Sequence, residues 1–388
     1  MGDDPTLRVE FWDGSSVGGA DPKATILVRS PMAISRIIYG GGTLGVARAY
    51  VAGDIDLEGD LLHALQSLTQ TFPKRLGIKV WGEAIVSAAR VGALGRPPPP
   101  PPEEMRLKGR RHSQDRDAAA IAHHYDLSND FYRMMLGPSM TYSCAFFTRP
   151  DETLEDAQRA KYDLICRKLR LSPGSRLLDV GCGWGGMVSW AAEHYGVQAV
   201  GITVSVPQHD LAIQRVAEAG LQDRVEIRLQ DYRELTGETY DAISSIGMFE
   251  HVGRAQSHDY FESLARVLRP GGLLLNHAIS AAGGSPVSRR SFIGRYVFPD
   301  GELQDVADVI GAMQACGFEI RHVEALREHY PRTLHRWLAN LEGHWDEAVA
   351  LVGPARTRVW RLFLAGAIID FERANFGVHQ VLGMKLAP

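Results

Sequence analysis

The run Leu177-Leu178-Asp179-Val180 ends in an acid and a valine and opens into Gly181-Cys182-Gly183-Trp184-Gly185-Gly186. An apolar segment of this kind reads as a buried strand delivering a carboxylate and a tight turn to the edge of a parallel sheet. Glycines let the backbone turn sharply and let a ligand approach where a Cβ would stand. The spacing Gly181-x-Gly183-x-x-Gly186 admits a dinucleotide. A nicotinamide site wants an acid about 20 residues on, at the end of the second strand. Here that strand, Ala199-Val200-Gly201-Ile202-Thr203-Val204, ends without one. The third strand, 225–229, runs instead into Gln230-Asp231-Tyr232. An acid and an aromatic at that point suit an adenine held edge-on and stacked, and Asp179 stands where it can meet an α-amino group. The pattern selects S-adenosylmethionine over a nicotinamide cofactor.

Two further apolar runs end in groups that move protons. Ser245-Ile246-Gly247-Met248-Phe249-Glu250-His251 brings Glu250 to the carboxyl end of the fourth strand, and Asn276-His277-Ala278-Ile279 brings His277 to the neighbouring strand end. An acid and a histidine converging on a crevice are acid–base candidates. Just before the core lies a small-polar and aromatic stretch, Met140-Thr141-Tyr142-Ser143-Cys144-Ala145-Phe146-Phe147. Cys144 has no base beside it in sequence, which argues against a thiolate nucleophile. His123-His124 have no companion at ligand spacing, and Cys144, Cys166, Cys182 and Cys316 form no Cys-x-x-Cys pair, so no metal site is expected.

The elements that must position these groups follow from the chain's organisation. At 388 residues two domains are the natural reading. A net charge of −4 argues against a nucleic-acid partner. No apolar run is long enough to span a membrane. The acidic start Met1-Gly2-Asp3-Asp4-Pro5 does not resemble a secretory signal, and the scattered cysteines fit a reducing, cytoplasmic setting. The prolines at 97–102 cannot be helical and mark an extended spacer. Glu103, Glu104 and the basic residues Arg106, Lys108, Arg110 and Arg111 follow it. The expected layout is a small α+β domain over 1–96, a linker over 97–116 and a larger domain over 117–388. In the small domain, strands are expected at 7–12 and 24–28 and helices at 30–39 and 60–71. Lys74, Arg75 and Lys79 beside Trp81 and Ile85 suggest an interfacial helix. In the larger domain, helices over 117–124, 129–136 and 153–169 precede strands at 176–180, 198–203, 224–229, 240–246, 272–278 and 319–324. Helices over 332–341 and 355–376 close the chain. Alternating strands and helices give a doubly wound, mostly parallel sheet with its crevice at the strands' carboxyl ends.

His124-Tyr125-Asp126-Leu127-Ser128-Asn129-Asp130-Phe131-Tyr132, together with Tyr142-Ser143-Cys144-Ala145, the glycine loop, residues 247–253 and Phe298-Pro299-Asp300-Gly301, resembles the cyclopropane-fatty-acid synthase family. The first 96 residues resemble the lipid-associated domain of its longer, phospholipid-acting members, which the short mycolic-acid cyclopropane synthases lack. The resemblance implies a Rossmann-like class I methyltransferase fold. It implies an S-adenosylmethionine site lined by Tyr142, Ser143, Asp179, Gly181, Gly183, Gly185, Thr203, Gln208, Asp231 and Tyr232, with Gln208 on the ribose. It also implies a bicarbonate ion held by Glu250, His277 and Tyr330, and by Cys144 and Ile279 through backbone groups. A homodimer and peripheral association with the inner face of the membrane are implied in the same way.

The chemistry is consistent with such a site. An isolated cis double bond attacks only a strongly electrophilic carbon, such as a sulfonium methyl. The resulting carbocation must lose a proton to a weak base in a dry cavity before a ring can close. Aromatic faces can stabilise the cation, and Phe146, Phe147, Tyr260 and Phe261 are candidates. The expected function is transfer of a one-carbon unit to unsaturated phospholipid acyl chains, giving a cyclopropane. Loss of the proton from a neighbouring chain carbon would give an exo-methylene instead, which a separate reductase would convert to a methyl branch. A lipid-binding protein with a catalytically dead methyltransferase fold is the rival from another class; intact Asp179, Glu250 and His277 argue against it.

Overall fold

In the computed structural model of this chain, Leu177 and Leu178 turn to opposite faces of a seven-stranded sheet, each into its own apolar cluster. The structure describes residues 5–71, 86, 88–90, 92–105, 116, 128–286, 288 and 290–387. The interfacial helix expected around 74–85, the basic residues 106–111, the His123-His124 pair and the helix over 117–124 lie outside the described residues.

Contacts divide the chain into two compact units. The first takes Met1–Arg106, Ser288–Val297 and Val352–Ile369; the second takes Leu107–Val287, Phe298–Leu351 and Asp370–Pro388. The boundary expected over 97–116 is therefore drawn after Arg106, and two distant segments join the first unit.

In the first unit β1 (Leu7–Phe11) pairs in parallel with β3 (Ala24–Val28), flanked by β2 (Ser16–Gly18) and β4 (Ile55–Gly59). Asp13 shapes the turn after β1 by accepting the Ser15 N–H at 2.9 Å. Helices α1 (Pro31–Gly40), α2 (Gly42–Val51) and α3 (Leu61–Thr71) accompany the sheet. Its core joins Val9, Ile26 and Val28 to Ala33, Ala49 and Ala64. The proline run is packed along α1: Arg36 donates to the Pro99 carbonyl at 2.6 Å and Tyr39 to that of Gly95 at 2.8 Å. Glu104 is buried against Arg48, which grips it with two hydrogen bonds of 2.7 and 2.8 Å.

The second unit begins, among described helices, with α4 (Asn129–Leu136) and α5 (Leu154–Lys168). It continues β5 (Arg176–Val180), α6 (Gly186–Tyr195), β6 (Gln198–Thr203), α7 (Val206–Glu218), β7 (Val225–Leu229) and β8 (Tyr240–Ile246). Then come α8 (Ser257–Val267), β9 (Leu268–Ser280), the short antiparallel pair β10 (Ser285–Pro286) and β11 (Glu302–Leu303), and α9 (Val306–Ala315). The last elements are β12 (Phe318–Ala325), α10 (His329–Gly343) and β13 (Gly377–Lys385). The sheet order is β12-β13-β9-β8-β5-β6-β7, parallel from β9 to β7, with β13 antiparallel to both neighbours. Chain direction across the sheet reverses between β5 and β8, which opens the crevice at their carboxyl ends.

The expected sheet is present, with one strand more than was read. The terminal helix, expected to run to residue 376, stops at Glu372, and Ala374 takes a positive φ of 56° before β13 begins. Arg116 and Asp300, the latter from the Phe298–Gly301 motif, form a buried ion pair with contacts of 2.5 and 2.9 Å.

Candidate active site

Helix α5 begins well: Thr153 caps it by accepting the Asp156 N–H at 3.1 Å, with acids in its first turn and bases in its last. Its buried face then holds the loop that carries Tyr142. Gln158 donates to the carbonyls of Thr141 and Ser143 at 3.3 and 3.0 Å, and Lys161 donates to the Ser143 hydroxyl at 2.7 Å.

Opposite that loop the chain leaves β5 through Gly181, whose φ of +76° disfavours any side chain. A Cβ at Gly186 would collide with the Tyr162 hydroxyl, so this glycine allows α6 to sit close to α5. Tyr142, Ser143, Asp179, Gly181 and Gly183 line one pocket here. Thr203 at the end of β6, Gln208 beyond it, and Asp231 and Tyr232 after β7 line the same pocket. Gly185 does not; it takes the left-handed conformation at the start of α6 and packs against Ala212.

The polar groups are arranged for a ligand. Asp179 is buried, accepts the Ser244 hydroxyl at 2.6 Å, and is pushed up to about 6 by burial. Thr203 donates to Gln208 Oε1 at 2.9 Å, which leaves the glutamine's amide N–H donors for a ligand oxygen. Asp231 receives the Arg233 backbone N–H and guanidinium, both at 2.9 Å, and Arg233 lies 4.8 Å over the Tyr232 ring. Arg233, Trp184 and Lys161 also line the pocket and were not anticipated.

Glu250 lies in a short 3₁₀ turn, Phe249–His251, whose neighbours Gly247 and Met248 line the pocket. It caps no helix. Its Oε1 accepts the Ile279 N–H at 2.8 Å, and its Oε2 is sealed from solvent with no hydrogen-bond partner. Burial pushes this carboxyl up to about 7, against the lowering effect of the Ile279 N–H. Of the Ile279 backbone groups, the N–H is thus engaged by Glu250.

His277, two residues before Ile279 on β9, is buried and faces Gln380 across the β9–β13 ladder. Lys168 donates to Gln380 Oε1 at 2.6 Å, which commits the Gln380 amide nitrogen to donating to His277 Nδ1 at 3.2 Å. Nδ1 is therefore an acceptor and the ring proton sits on Nε2. Burial, aided by Lys161 and Lys168, holds the imidazole neutral, well below its usual pKa. Replacing Gln380 with Leu is expected to cost about tenfold in turnover by freeing the ring to change tautomer. Nitrogen NMR of His277 would show the change directly, and an unaltered tautomer would exclude this role for Gln380.

Cys144 is buried, and desolvation raises its thiol far above the usual value, so it is no thiolate. Tyr330 packs on Phe371 at 4.6 Å and on Trp337 at 6.1 Å, and Trp337 in turn meets pocket-lining Tyr142 at 5.3 Å. Glu250, His277, Tyr330, Cys144 and Ile279 do not line this pocket, and neither do the aromatics expected to stabilise a cation. Tyr260 and Phe261 are core residues, with Tyr260 bonded to Ser245 at 2.7 Å, while Phe146 stacks near His329 and Phe147 lies under Arg332. Their aromatic character was spent on packing; Tyr142, Tyr162, Trp184 and Tyr232 are the pocket's own aromatics.

Residues 112–381 match the sequence profile of the mycolic acid cyclopropane synthetase family. The chain belongs to this family. It is 43% identical over 98% of its length, and 92% of the relative's, to a probable fatty acid methyltransferase of Mycobacterium tuberculosis. It is 32% identical to the cyclopropane-fatty-acyl-phospholipid synthase of Escherichia coli, over 95% of this chain and 90% of that one. The crystal structure of mycolic acid cyclopropane synthase CmaA1, complexed with S-adenosylhomocysteine and CTAB, superposes with a TM-score of 0.65 and 35% identity, covering 69% of this chain and 98% of CmaA1. Membership makes this chain an S-adenosylmethionine-dependent methyltransferase with the Rossmann-like class I fold that its sheet displays.

Proposed function

We propose that the protein transfers a one-carbon unit from S-adenosylmethionine to the cis double bond of an unsaturated phospholipid acyl chain and closes a cyclopropane ring. The observation that carries this reading is Glu250: a carboxylate oxygen sealed from water, without a partner, beside the pocket that ends at Asp179. A methyltransferase acting on an oxygen or nitrogen removes a proton from the nucleophilic heteroatom itself. An alkene has no such proton and must lose one from carbon after methyl transfer, beside a carbocation that has to be shielded from water.

Bound S-adenosylmethionine supplies an electrophilic methyl, and a bound bicarbonate would supply a weak base. Asp179 and the glycine loop would hold the amino-acid end of the cofactor, Thr203 and Gln208 the ribose, and Asp231 and Tyr232 the adenine. Tyr142 and Ser143 close the pocket over the methionine end. The free Oε2 of Glu250 would accept a hydrogen bond from a bound bicarbonate, and His277 Nε2–H and the Tyr330 hydroxyl would donate to it. Cys144 contributes its backbone. His277, Cys144 and Gln380 are buried, so this corner of the fold excludes the water that would trap a carbocation.

An exo-methylene product, needing a separate reductase, would use the same groups; the second reading is supported by 34% identity, over 96% of this chain and 86% of the relative's, to the tuberculostearic acid methyltransferase UfaA1 of Mycobacterium tuberculosis. No described helix is long and apolar enough to cross a membrane. The proposal places the reaction at the membrane surface, with the first unit presenting lipid, and the protein as a homodimer. The test is S-adenosylhomocysteine release. It is expected with vesicles of monounsaturated phospholipid and not with saturated ones; equal release with both would contradict an alkene substrate.

A further inference from the structure

The buried face of α5 runs Leu154, Ala157, Gln158, Lys161, Tyr162, Ile165, and so places a lysine on an otherwise core-facing stripe. Lys161 is 0% exposed yet lines the same pocket as Asp179. Its ammonium donates to Ser143 Oγ at 2.7 Å and lies 4.9 Å from the Tyr162 ring centroid. Among the described residues it has no ion-pair partner, and neither has Asp179. A buried charge without a counter-ion is costly. Here two of opposite sign are kept apart on one pocket, attracting each other through space without contact. Cys144 and His277 also feel the lysine's charge, and both are neutral.

Two separated buried charges of opposite sign are the two halves of a receptor for a zwitterion. Asp179 lies at the end of β5 and Lys161 on the helix before it, whereas Thr203 ends β6, Gln208 follows it, and Asp231 and Tyr232 follow β7, so the sheet order spreads a ligand from amino-acid head through ribose to adenine. S-adenosylmethionine carries two cationic groups, which repel a lysine, and one anion. We infer that Lys161, with the Ser143 hydroxyl, binds the α-carboxylate of S-adenosylmethionine, while Asp179 binds its α-ammonium. The inference rests on this pocket being the S-adenosylmethionine site.

Titration calorimetry tests it with two ligands: S-adenosylhomocysteine, which has the zwitterionic head, and 5′-methylthioadenosine, which lacks it. For Lys161→Met, S-adenosylhomocysteine is expected to bind roughly 10- to 100-fold more weakly, with methylthioadenosine unchanged and the thermal midpoint unchanged or raised. Equal weakening of both ligands, or of neither, overturns the assignment. So does a variant that binds S-adenosylhomocysteine normally but needs more bicarbonate for turnover, since the lysine would then face the base. The wild type offers a second measurement free of any folding defect. Burial lowers Lys161 to about 7, so at pH 8 binding of S-adenosylhomocysteine should take up nearly one proton, and binding of methylthioadenosine none. Lack of uptake with both ligands overturns the inference. Failure of the wild type to bind S-adenosylhomocysteine at all overturns the pocket reading instead.

Discussion

Glu250→Gln is expected to lower turnover by about 10³-fold while S-adenosylhomocysteine binds as it does to the wild type. The substitution keeps an oxygen for the Ile279 N–H but removes the carboxylate whose Oε2 has no partner. The same change should stabilise the protein at alkaline pH. Burial raises Glu250 from an ordinary 4.5 to about 7, so the folded state favours the protonated form. Between those two values the folded chain holds more protons than the unfolded one, and stability falls as pH rises through the window. Above it the ionised carboxylate costs the fold about 3 kcal/mol, a cost that glutamine does not incur. Thermal unfolding should therefore place the variant above the wild type at pH 8 and level with it near pH 4. Turnover within tenfold of wild type would remove Glu250 from the chemistry, and a variant less stable at pH 8 would contradict its desolvation.

Asp179→Asn follows the same logic at the other end of the pocket. Here the expected loss is in binding: S-adenosylhomocysteine affinity should fall about 100-fold, because an amide cannot neutralise the α-ammonium. Burial raises Asp179 from 3.8 to about 6, so its charge too is held at a cost above that value. The asparagine retains an oxygen for the Ser244 hydroxyl, and the apo variant should melt no lower than wild type at pH 8. Calorimetry and thermal unfolding on the same sample separate the two effects. Unchanged affinity would make Asp179 a structural residue of the β5 turn. Both residues share a signature: a buried carboxylate whose ionised form the fold disfavours.

The four parallel strands β5 to β8 were legible almost to the residue, because each is an apolar run bounded by turn residues and the chain alternates strand with helix. β13 was not. Apolar residues at helical spacing continued through the end of the terminal helix, and nothing local announces that Ala374 reverses the chain. The cost of missing β13 was functional, since it carries Gln380, the residue that fixes the His277 tautomer. In the first unit β2, β4 and α2 were missed, being short or glycine-rich. Lys161 did leave a signal: it falls on the apolar stripe of a helix whose other lysine, Lys168, lies at its end. A lysine is usually read as solvated, so the stripe was not followed through it. The aromatic candidates have a packing role in the fold. Tyr260 and Phe261 sit on the buried face of α8, and an aromatic on a core face serves packing first. The orphan oxygen of Glu250 and the separation of Lys161 from Asp179 are relations between distant segments, which only the folded chain displays.

The central claim concerns which bond the protein makes, and the product reports it most directly. The protein would be incubated with S-adenosylmethionine and vesicles of monounsaturated phospholipid, and the recovered acyl chains examined by proton NMR. Mass alone does not discriminate, because a cyclopropane and an exo-methylene add the same CH₂. Upfield ring protons, appearing in step with S-adenosylhomocysteine, are the expected result. Vinylidene protons in their place would contradict ring closure and identify a methylene-forming enzyme; unmodified chains with no cofactor consumed would contradict lipid methyl transfer altogether.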